Sequence, residues 1–176
     1  MKFLLTVFMS LAFVGDVSAA TDYWLDSSDL AFIHSANQAN DKKASFGKKY
    51  DVNLQCETRL YLSIERPVRM KESEEPRSSE MQIKVDDLPS RSLKTLAVND
   101  YAKSNETHIV EFFDDKELHK EMLNGWKMYV RYRKTYGDGY SPTLIFNLKN
   151  YRTATGNAER HCMKAAEEQR LSEEVW

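Results

Sequence analysis

The stretch Trp126–Lys134, with the sequence WKMYVRYRK, has the clearest alternation of apolar and polar residues in the chain. If it is extended, one side carries Trp126, Met128, Val130 and Tyr132, and the residues between them lie on the other side. A period of two is typical of a β-strand with one buried face. The stretch therefore predicts a strand whose apolar side, including Trp126, packs into a core.

The segments on either side of this strand predict a hairpin and a short helix. Tyr136–Pro142 (YGDGYSP) is rich in turn-forming residues, and Thr143–Lys149 alternates again, so we expect a hairpin partner there. Before the strand, Asp114 is followed three residues later by Glu117, which is a capping-box pattern. It predicts a helix over Asp115–Asn124 that ends at the glycine before the strand.

Further period-two patterns lie earlier in the chain. The longest covers Val52–Glu65, where one side of the predicted strand carries Leu54, Cys56, Leu60, Leu62 and Ile64. Shorter patterns predict three more strands, over Met81–Val85, Leu93–Val98 and Thr107–Phe113.

The chain after Tyr151 changes to helical spacing, with Gly156 and Asn157 expected to interrupt the helix. Strands therefore dominate, with one helix inside the order and one at its end. This order predicts a mainly β (α+β) fold, an antiparallel β-sandwich-like domain with one short internal helix and a C-terminal helix.

Residues 1–20 have the pattern of a cleavable secretory signal. Lys2 supplies the positive charge, Phe3–Val14 the apolar run, and Val17-Ser18-Ala19 the small-residue cleavage site. A retained anchor is the alternative, but the apolar run is shorter than the about 20 residues that cross a bilayer. We therefore expect a signal peptide over 1–20, one secreted globular domain over 21–176, a periplasmic or secreted location, and no membrane span after cleavage.

The chain has two cysteines, Cys56 and Cys162, which lie 106 positions apart. In an oxidising compartment such a pair predicts one disulfide. Free thiols or a metal site are the alternatives, and neither has CxxC spacing to support it. In the chain-entropy model a loop of this size is worth on the order of 4–5 kcal/mol.

The composition indicates a folded domain, with 41% hydrophobic and 30% charged residues. A net charge of −2 gives no electrostatic reason to expect nucleic acid or an anionic membrane as a partner.

Several features together resemble the invasion-associated locus B type of periplasmic domain found in Gram-negative bacteria. They are an early tryptophan, a cysteine-bearing strand with alternating leucines, a short helix that ends at glycine before a strand, and a closing segment with a cysteine beyond it: Trp24, Leu54–Ile64, Leu118–Tyr132, Phe146–Tyr151 and Cys162. The family closes with Phe-x-Leu-x-Gly-Phe followed by alanine, to which FNLKNY with Ala154 is a near match. The additional cysteine pair that such domains often carry is absent here.

This resemblance implies a β-sandwich-like periplasmic protein that acts through binding. The family has no assigned catalytic residues to carry over to this chain.

The sequence contains no recognisable catalytic or metal-binding motif. The histidines lack HExxH or another metal-ligand spacing, and no GxSxG elbow occurs. Asp86-Asp87 and Asp114-Asp115 stand where strands are predicted to end, where aspartate has structural roles. We therefore expect no catalytic residues, no metal and no cofactor. The histidines are His34, His108, His119 and His161.

The polar side of Trp126–Lys134 is the predicted binding face. Lys127, Tyr129, Arg131 and Arg133 share it, and it continues toward Tyr136. Tyrosine and arginine are the residue types that anchor protein interfaces. The alternative is a solvated sheet face with cross-strand pairs.

These observations predict a non-enzymatic protein-binding domain, an inhibitor, immunity factor or envelope accessory factor, whose partner is another envelope or extracellular protein. Two alternatives stay open. One is a small secreted hydrolase whose acid and histidine residues converge only in the fold. The other is a structural envelope component or a binder of anionic glycan.

Overall fold

The structure is a computed structural model that describes residues 25–27, 32–39, 42–65, 75–100, 104–134 and 139–173, with side chains from residue 44 onward. The predicted signal peptide, Trp24 and Tyr136 lie outside these ranges. His34 is described by its backbone alone.

The described residues form nine strands, two α-helices and one 3-10 turn. The strands are β1 (Leu25–Ser27), β2 (Phe32–Ala39), β3 (Lys42–Asp51), β4 (Glu57–Glu65), β5 (Arg77–Val85), β6 (Arg91–Asp100), β7 (Asn105–Val110), β8 (Lys127–Tyr132) and β9 (Leu144–Asn147). The helices are α1 (Lys116–Asn124) and α2 (Tyr151–Glu173), and the 3-10 turn covers Val52–Leu54.

All nine described strands belong to one antiparallel sheet in the order β1-β2-β3-β4-β7-β6-β5-β8-β9. The sheet curls into a half-barrel, because β2 comes within contact distance of β9 although neither pairs with the other. Phe46 on β3 and Phe146 on β9 meet inside the curl, with ring centroids 5.8 Å apart.

One face of the sheet, called the inner face here, is buried from β3 to β9. Cross-strand pairing aligns the buried residues, as in the row formed by Phe46, Leu62 and His108. Residues directly opposite each other in a ladder point to the same side, so the register carries one apolar face from strand to strand. The inner-face core includes Leu60, Leu62, Ile64, Met81, Ile83, Val85, Met128, Val130 and Phe146.

The two helices pack against this apolar core. Leu118 and Met122 of α1 are fully buried, as are Tyr151, Ala158 and Cys162 of α2. The predicted mainly β fold with a short internal helix and a C-terminal helix is thus confirmed. The sandwich is not confirmed, because the described strands form a single curled sheet and helices, rather than a second sheet, pack against its buried core.

The predicted disulfide between Cys56 and Cys162 is present, with the two Cα atoms 5.9 Å apart. The prediction that Cys56 lies within a strand is wrong. Asp51 accepts a hydrogen bond from the Asn53 backbone N–H, and Gln55 and Cys56 have positive φ values of 52° and 63°. This turn interrupts the extended chain, so β4 begins only at Glu57.

Helix α1 begins one residue later than the capping box predicts. Asp115, not Asp114, caps the helix, and its carboxylate accepts the Leu118 N–H at 2.9 Å. The predicted end at Gly125 is confirmed, and a Cβ at this position would collide with Cγ1 of Val85. Glycine is therefore required for the close approach of α1 to β5.

Two further local predictions are wrong. Trp126 is 80% exposed, because β8 begins after it and the Asp86 carboxylate accepts the backbone N–H groups of Trp126 and Lys127. The helix after Tyr151 is not interrupted at Gly156 and Asn157 but runs unbroken to Glu173. No helix among the described residues is long and apolar enough to cross a membrane.

Candidate functional site

The structure places four of the five predicted binding residues together on the outer face of the sheet. Lys127, Arg131 and Arg133 are exposed and Tyr129 is half-buried. Arg133 lies just beyond β8, where its backbone forms an isolated bridge with Tyr140. We call this surface the β8 face.

Neighbouring strands add ring contacts to the β8 face. The Lys84 Nζ lies 5.9 Å from the centroid of the Tyr129 ring, and the Arg131 guanidinium lies 5.3 Å from that of Tyr140. Both distances are within the range of cation–π attraction. Glu80 hydrogen-bonds to Tyr140, and the hydrogen bonds from Ser92 (the larger cause) and Tyr140 lower the pKa of its carboxyl. These contacts hold the tyrosines beside the cations.

Apolar surface borders the cations of the β8 face. Ile145 on β9 pairs with Tyr129 and is 44% exposed, and the exposed Trp126 precedes the strand. A groove of about 450 Å³ lies beside these residues, with Lys84, Tyr129 and Arg131 in its wall. The face therefore combines cationic, aromatic and aliphatic surface, the mixture that anchors protein interfaces.

A second cluster lies inside the domain, at the junction of β3, α1 and α2, and sequence analysis missed it. Lys48 of β3 is only 4% exposed. Its Nζ lies 3.4 Å from Nδ1 of His119 and over the rings of Tyr50 and Phe113, at 4.9 and 5.7 Å from their centroids. We call these residues, with Tyr151 and Thr155, the Lys48 cluster.

Hydrogen bonds continue from Lys48 through the cluster. The Tyr151 hydroxyl lies 3.3 Å from His119 Nδ1, and the hydroxyls of Tyr50 and Thr155 are 2.6 Å apart. An ammonium group can only donate, so Nδ1 of His119 is the unprotonated nitrogen while Lys48 is charged. The cluster thus joins an amine, an imidazole and three hydroxyl groups in one buried place.

Burial shifts the acid–base behaviour of this cluster. Loss of water lowers the pKa of Lys48 to about 8, although the Glu159 carboxylate opposes the shift. Burial and the charge of Lys48 lower the pKa of His119 to about 4. Burial raises the pKa of Tyr50 to about 12 and raises that of Tyr151.

A third polar group lies on the inner face at β7. His108 is fully buried and its Nε2 lies 3.1 Å from the Glu106 carboxylate. Its ring centroid is 4.7 Å from that of Tyr132. Neither His108 Nδ1 nor the hydroxyl of buried Thr95 has a hydrogen-bond partner among the described residues.

The described part of the chain does not bring the histidines and aspartate pairs named in the sequence together with one another. His119 belongs to the Lys48 cluster, His108 pairs with Glu106, and Asp86 holds the start of β8. Asp114 is exposed and is not the helix cap. No group of three or more potential metal ligands occurs among the described residues.

The described fold and sites define a mainly β antiparallel domain with a disulfide-linked C-terminal helix. No family model matches this chain, and no curated protein matches it. Among solved structures, invasion associated protein B from Bartonella henselae is similar at 13% sequence identity and a TM-score of 0.38, over 73% of this chain and 90% of that chain. This resemblance is weak.

Proposed function

We propose that this protein is a secreted or periplasmic, non-enzymatic domain that binds another envelope or extracellular protein through the β8 face. An inhibitor, an immunity factor or an envelope accessory factor would have this activity. The proposal rests on the outer side of β8. Lys127, Tyr129 and Arg131 share this side, and Tyr129 pairs with the exposed Ile145 on β9.

The composition of the β8 face supports a protein partner. Tyrosine buries a large area with few rotatable bonds, and tyrosine and arginine are among the residues that account for most of the binding energy at protein interfaces. Tyr129 and Tyr140 are already held beside Lys84 and Arg131 before any partner arrives. Preorganised side chains lose less conformational entropy on binding.

The charge of the β8 face indicates an acidic partner surface. Four cations lie on this face and three carboxylates border them, so the balance is positive. The cations are Lys84, Lys127, Arg131 and Arg133, and the carboxylates are Glu80, Asp86 and Asp87. The Asp87 carboxylate lies 4.0 Å from the Lys84 Nζ. Complementary charge favours fast association and the correct orientation of the partner. Binding through this face should therefore weaken as salt concentration rises.

The compartment of this proposal rests on the predicted signal and on the disulfide. The bond between Cys56 and Cys162 is compatible with an oxidising, extracytoplasmic compartment, where disulfides form and persist.

Site-specific photo-crosslinking in the native host tests the proposal. A photoreactive phenylalanine analogue placed at Tyr129 should form an adduct with a second protein, whereas the same analogue at Lys164 on α2 should not. Lys164 is exposed, so a photoreactive side chain at this control position is accessible but lies away from the β8 face. Absence of a protein adduct at position 129 would contradict the proposal.

Charge reversal then tests whether the cations of the β8 face bind the partner protein. Arg131→Glu with Arg133→Glu should abolish the adduct at position 129. The matched control is Arg160→Glu with Lys164→Glu on α2, which changes the net charge equally and should leave the adduct intact. An adduct that both double variants retain would show that the arginines do not bind the partner.

A small hydrolase is the second candidate, and the buried His108–Glu106 pair is the observation that favours it. A carboxylate that orients a histidine is a recurring part of hydrolytic sites. Replacement of His108 by Gln should abolish hydrolysis of a broad panel of ester, peptide and glycoside substrates. If wild-type protein hydrolyses none of them, this candidate fails.

A further inference from the structure

Lys48 is a buried amine without a carboxylate at ion-pair distance among the described residues. Taking an ammonium group out of water costs several kcal/mol unless an anion compensates. Such a group is retained in a fold at the expense of stability, and amines of this kind are used as nucleophiles because burial favours their neutral form.

The groups around Lys48 come from β3, from α1 with the residues before it, and from α2. They present aromatic rings, an imidazole nitrogen, a hydroxyl and a carboxylate to the amine. Tyr50 of β3 and Phe113, which precedes α1, present aromatic rings. His119 of α1 presents an unprotonated ring nitrogen at 3.4 Å, and the Tyr151 hydroxyl of α2 lies 3.3 Å from the same nitrogen. The carboxylate of Glu159 acts on Lys48 from further along α2. A proton acceptor thus stands beside the amine inside an apolar cage.

We propose that Lys48 is a nucleophile that condenses with small aldehydes or ketones to form an imine, with His119 as the group that moves the proton. The neutral Nζ attacks the carbonyl carbon, and the electron pair of the C=O double bond moves to the oxygen. In two transfers His119 Nδ1 carries both protons of the nitrogen to the oxygen. The first converts the alkoxide into the carbinolamine hydroxyl, and the second lets this hydroxyl leave as water. One amine and one carbonyl compound give one imine and one water, without an oxidant or reductant.

The basicity of His119 depends on the protonation state of Lys48. Burial is the larger cause that lowers the pKa of His119, and the positive charge of Lys48 is the smaller one. Once the amine is neutral this cause is absent, so the imidazole becomes a better proton acceptor at the moment when the amine can attack.

Access to the amine is through His119. Lys48, Tyr50 and Phe113 are buried, whereas His119 is only half-buried and forms the side of the cage nearest to solvent. A carbonyl compound would have to reach Nζ past this side chain, so the proposal is restricted to small aldehydes and ketones.

Competitive reductive methylation tests this proposal on the disulfide-bonded wild-type protein. Limiting isotope-labelled formaldehyde with excess cyanoborohydride at pH 7 traps each imine, and peptide mass spectrometry reports the rate at each lysine. A pKa of about 8 instead of 10.5 gives Lys48 roughly 300-fold more neutral amine at pH 7. We expect Lys48 to react at least about tenfold faster than the exposed Lys84 and Lys127.

A Lys48 rate equal to or below that of the exposed lysines would overturn the proposal. Lys48→Arg keeps a cation but should lose the fast-reacting position while the other lysines react as before. The wild-type rates decide the question even if this variant does not fold.

A second variant tests the role of His119. His119→Gln keeps a hydrogen-bonding group but cannot carry the proton, so labelling of Lys48 should slow several-fold while Lys84 and Lys127 are unchanged. An unchanged or faster Lys48 rate would show that the imidazole only covers the amine. Because the lysine rates need no protein partner, failure here is distinguishable from failure of the proposed binding function.

Discussion

Two regions of this domain hold cations against tyrosine rings, and they differ in access to water. On the β8 face, Arg131 lies 5.3 Å from the Tyr140 ring and is exposed. In the Lys48 cluster, Lys48 lies 4.9 Å from the Tyr50 ring and is 4% exposed. The contacts are alike, but burial turns the second into a site with altered acid–base chemistry. Burial, more than residue type, separates the proposed binding surface from the proposed reactive site.

Removal of the disulfide should have the largest effect on stability. Cys162 lies on α2, the helix that supplies Tyr151 and Thr155 to the Lys48 cluster, so Cys56→Ser with Cys162→Ser should loosen that region most. We expect the free energy of unfolding to fall by about 2–5 kcal/mol in urea titrations. The β8 face should still form its photo-adduct in native conditions. An unfolding free energy unchanged by the double substitution would contradict this view of α2.

The charge of Lys48 should make stability depend on pH. The folded state releases this proton near pH 8 and the unfolded state near pH 10.5, so the unfolded chain binds more protons between these values. The free energy of unfolding of the wild type should therefore rise as the pH is raised from 8 to 10. The expected gain is about 2–3 kcal/mol relative to Lys48→Met, which lacks the titrating group.

Urea titrations of wild type and Lys48→Met at pH 7, 8, 9 and 10 measure this difference. Burial raises the pKa of Tyr50 to about 12 and raises that of Tyr151, but both tyrosines are present in the two proteins, so their effect near pH 10 cancels in the comparison. If the free energies of unfolding of the two proteins change with pH in parallel, the pKa of Lys48 is not lowered in the folded state.

His119 should have a smaller effect, at acidic pH. Its pKa is lowered from 6.5 to about 4 in the folded state, so the stability it contributes is present above pH 6.5 and is lost as pH falls toward 4. Because the ring is only half-buried, solvent screening reduces the expected loss to about 1 kcal/mol. Thermal unfolding of wild type and His119→Gln between pH 7 and pH 4 should show the loss only in wild type.

Charge reversal on the β8 face should have the smallest effect on stability. Arg131→Glu with Arg133→Glu changes exposed side chains, so the free energy of unfolding should move by no more than about 0.5 kcal/mol. The same variant should lose the photo-adduct of position 129. A large loss of stability would mean that the arginines stabilise the fold. It would contradict the difference drawn here between the exposed cations of the β8 face and the buried cation of the Lys48 cluster.

Much of the fold follows from period-two patterns in the sequence. Strands β5, β6, β8 and β9 all lie where alternation predicts them, because one side of each strand is buried. Strand β3 was not predicted, because Lys48 occupies an inner-face position between Phe46 and Tyr50. A charged residue at this position interrupts the apolar alternation in the sequence. The same residue that hides the strand is the one with unusual chemistry.

The two sites differ in the same respect. The β8 face could be predicted because Lys127, Tyr129 and Arg131 alternate along one strand. The Lys48 cluster could not, since Lys48 and His119 are 71 residues apart and only the packing of α1 against β3 and α2 joins them. The turn at Cys56 and the cap at Asp115 depend on backbone angles that composition does not specify.

The most direct test of the contrast is a titration of the Lys48 side chain by NMR, with lysine labelled at Cε and the resonance assigned through Lys48→Arg. Burial of the amine in the cluster predicts a midpoint near pH 8. A midpoint near 10.5, the ordinary value for lysine, would contradict the claim that burial gives this site its chemistry.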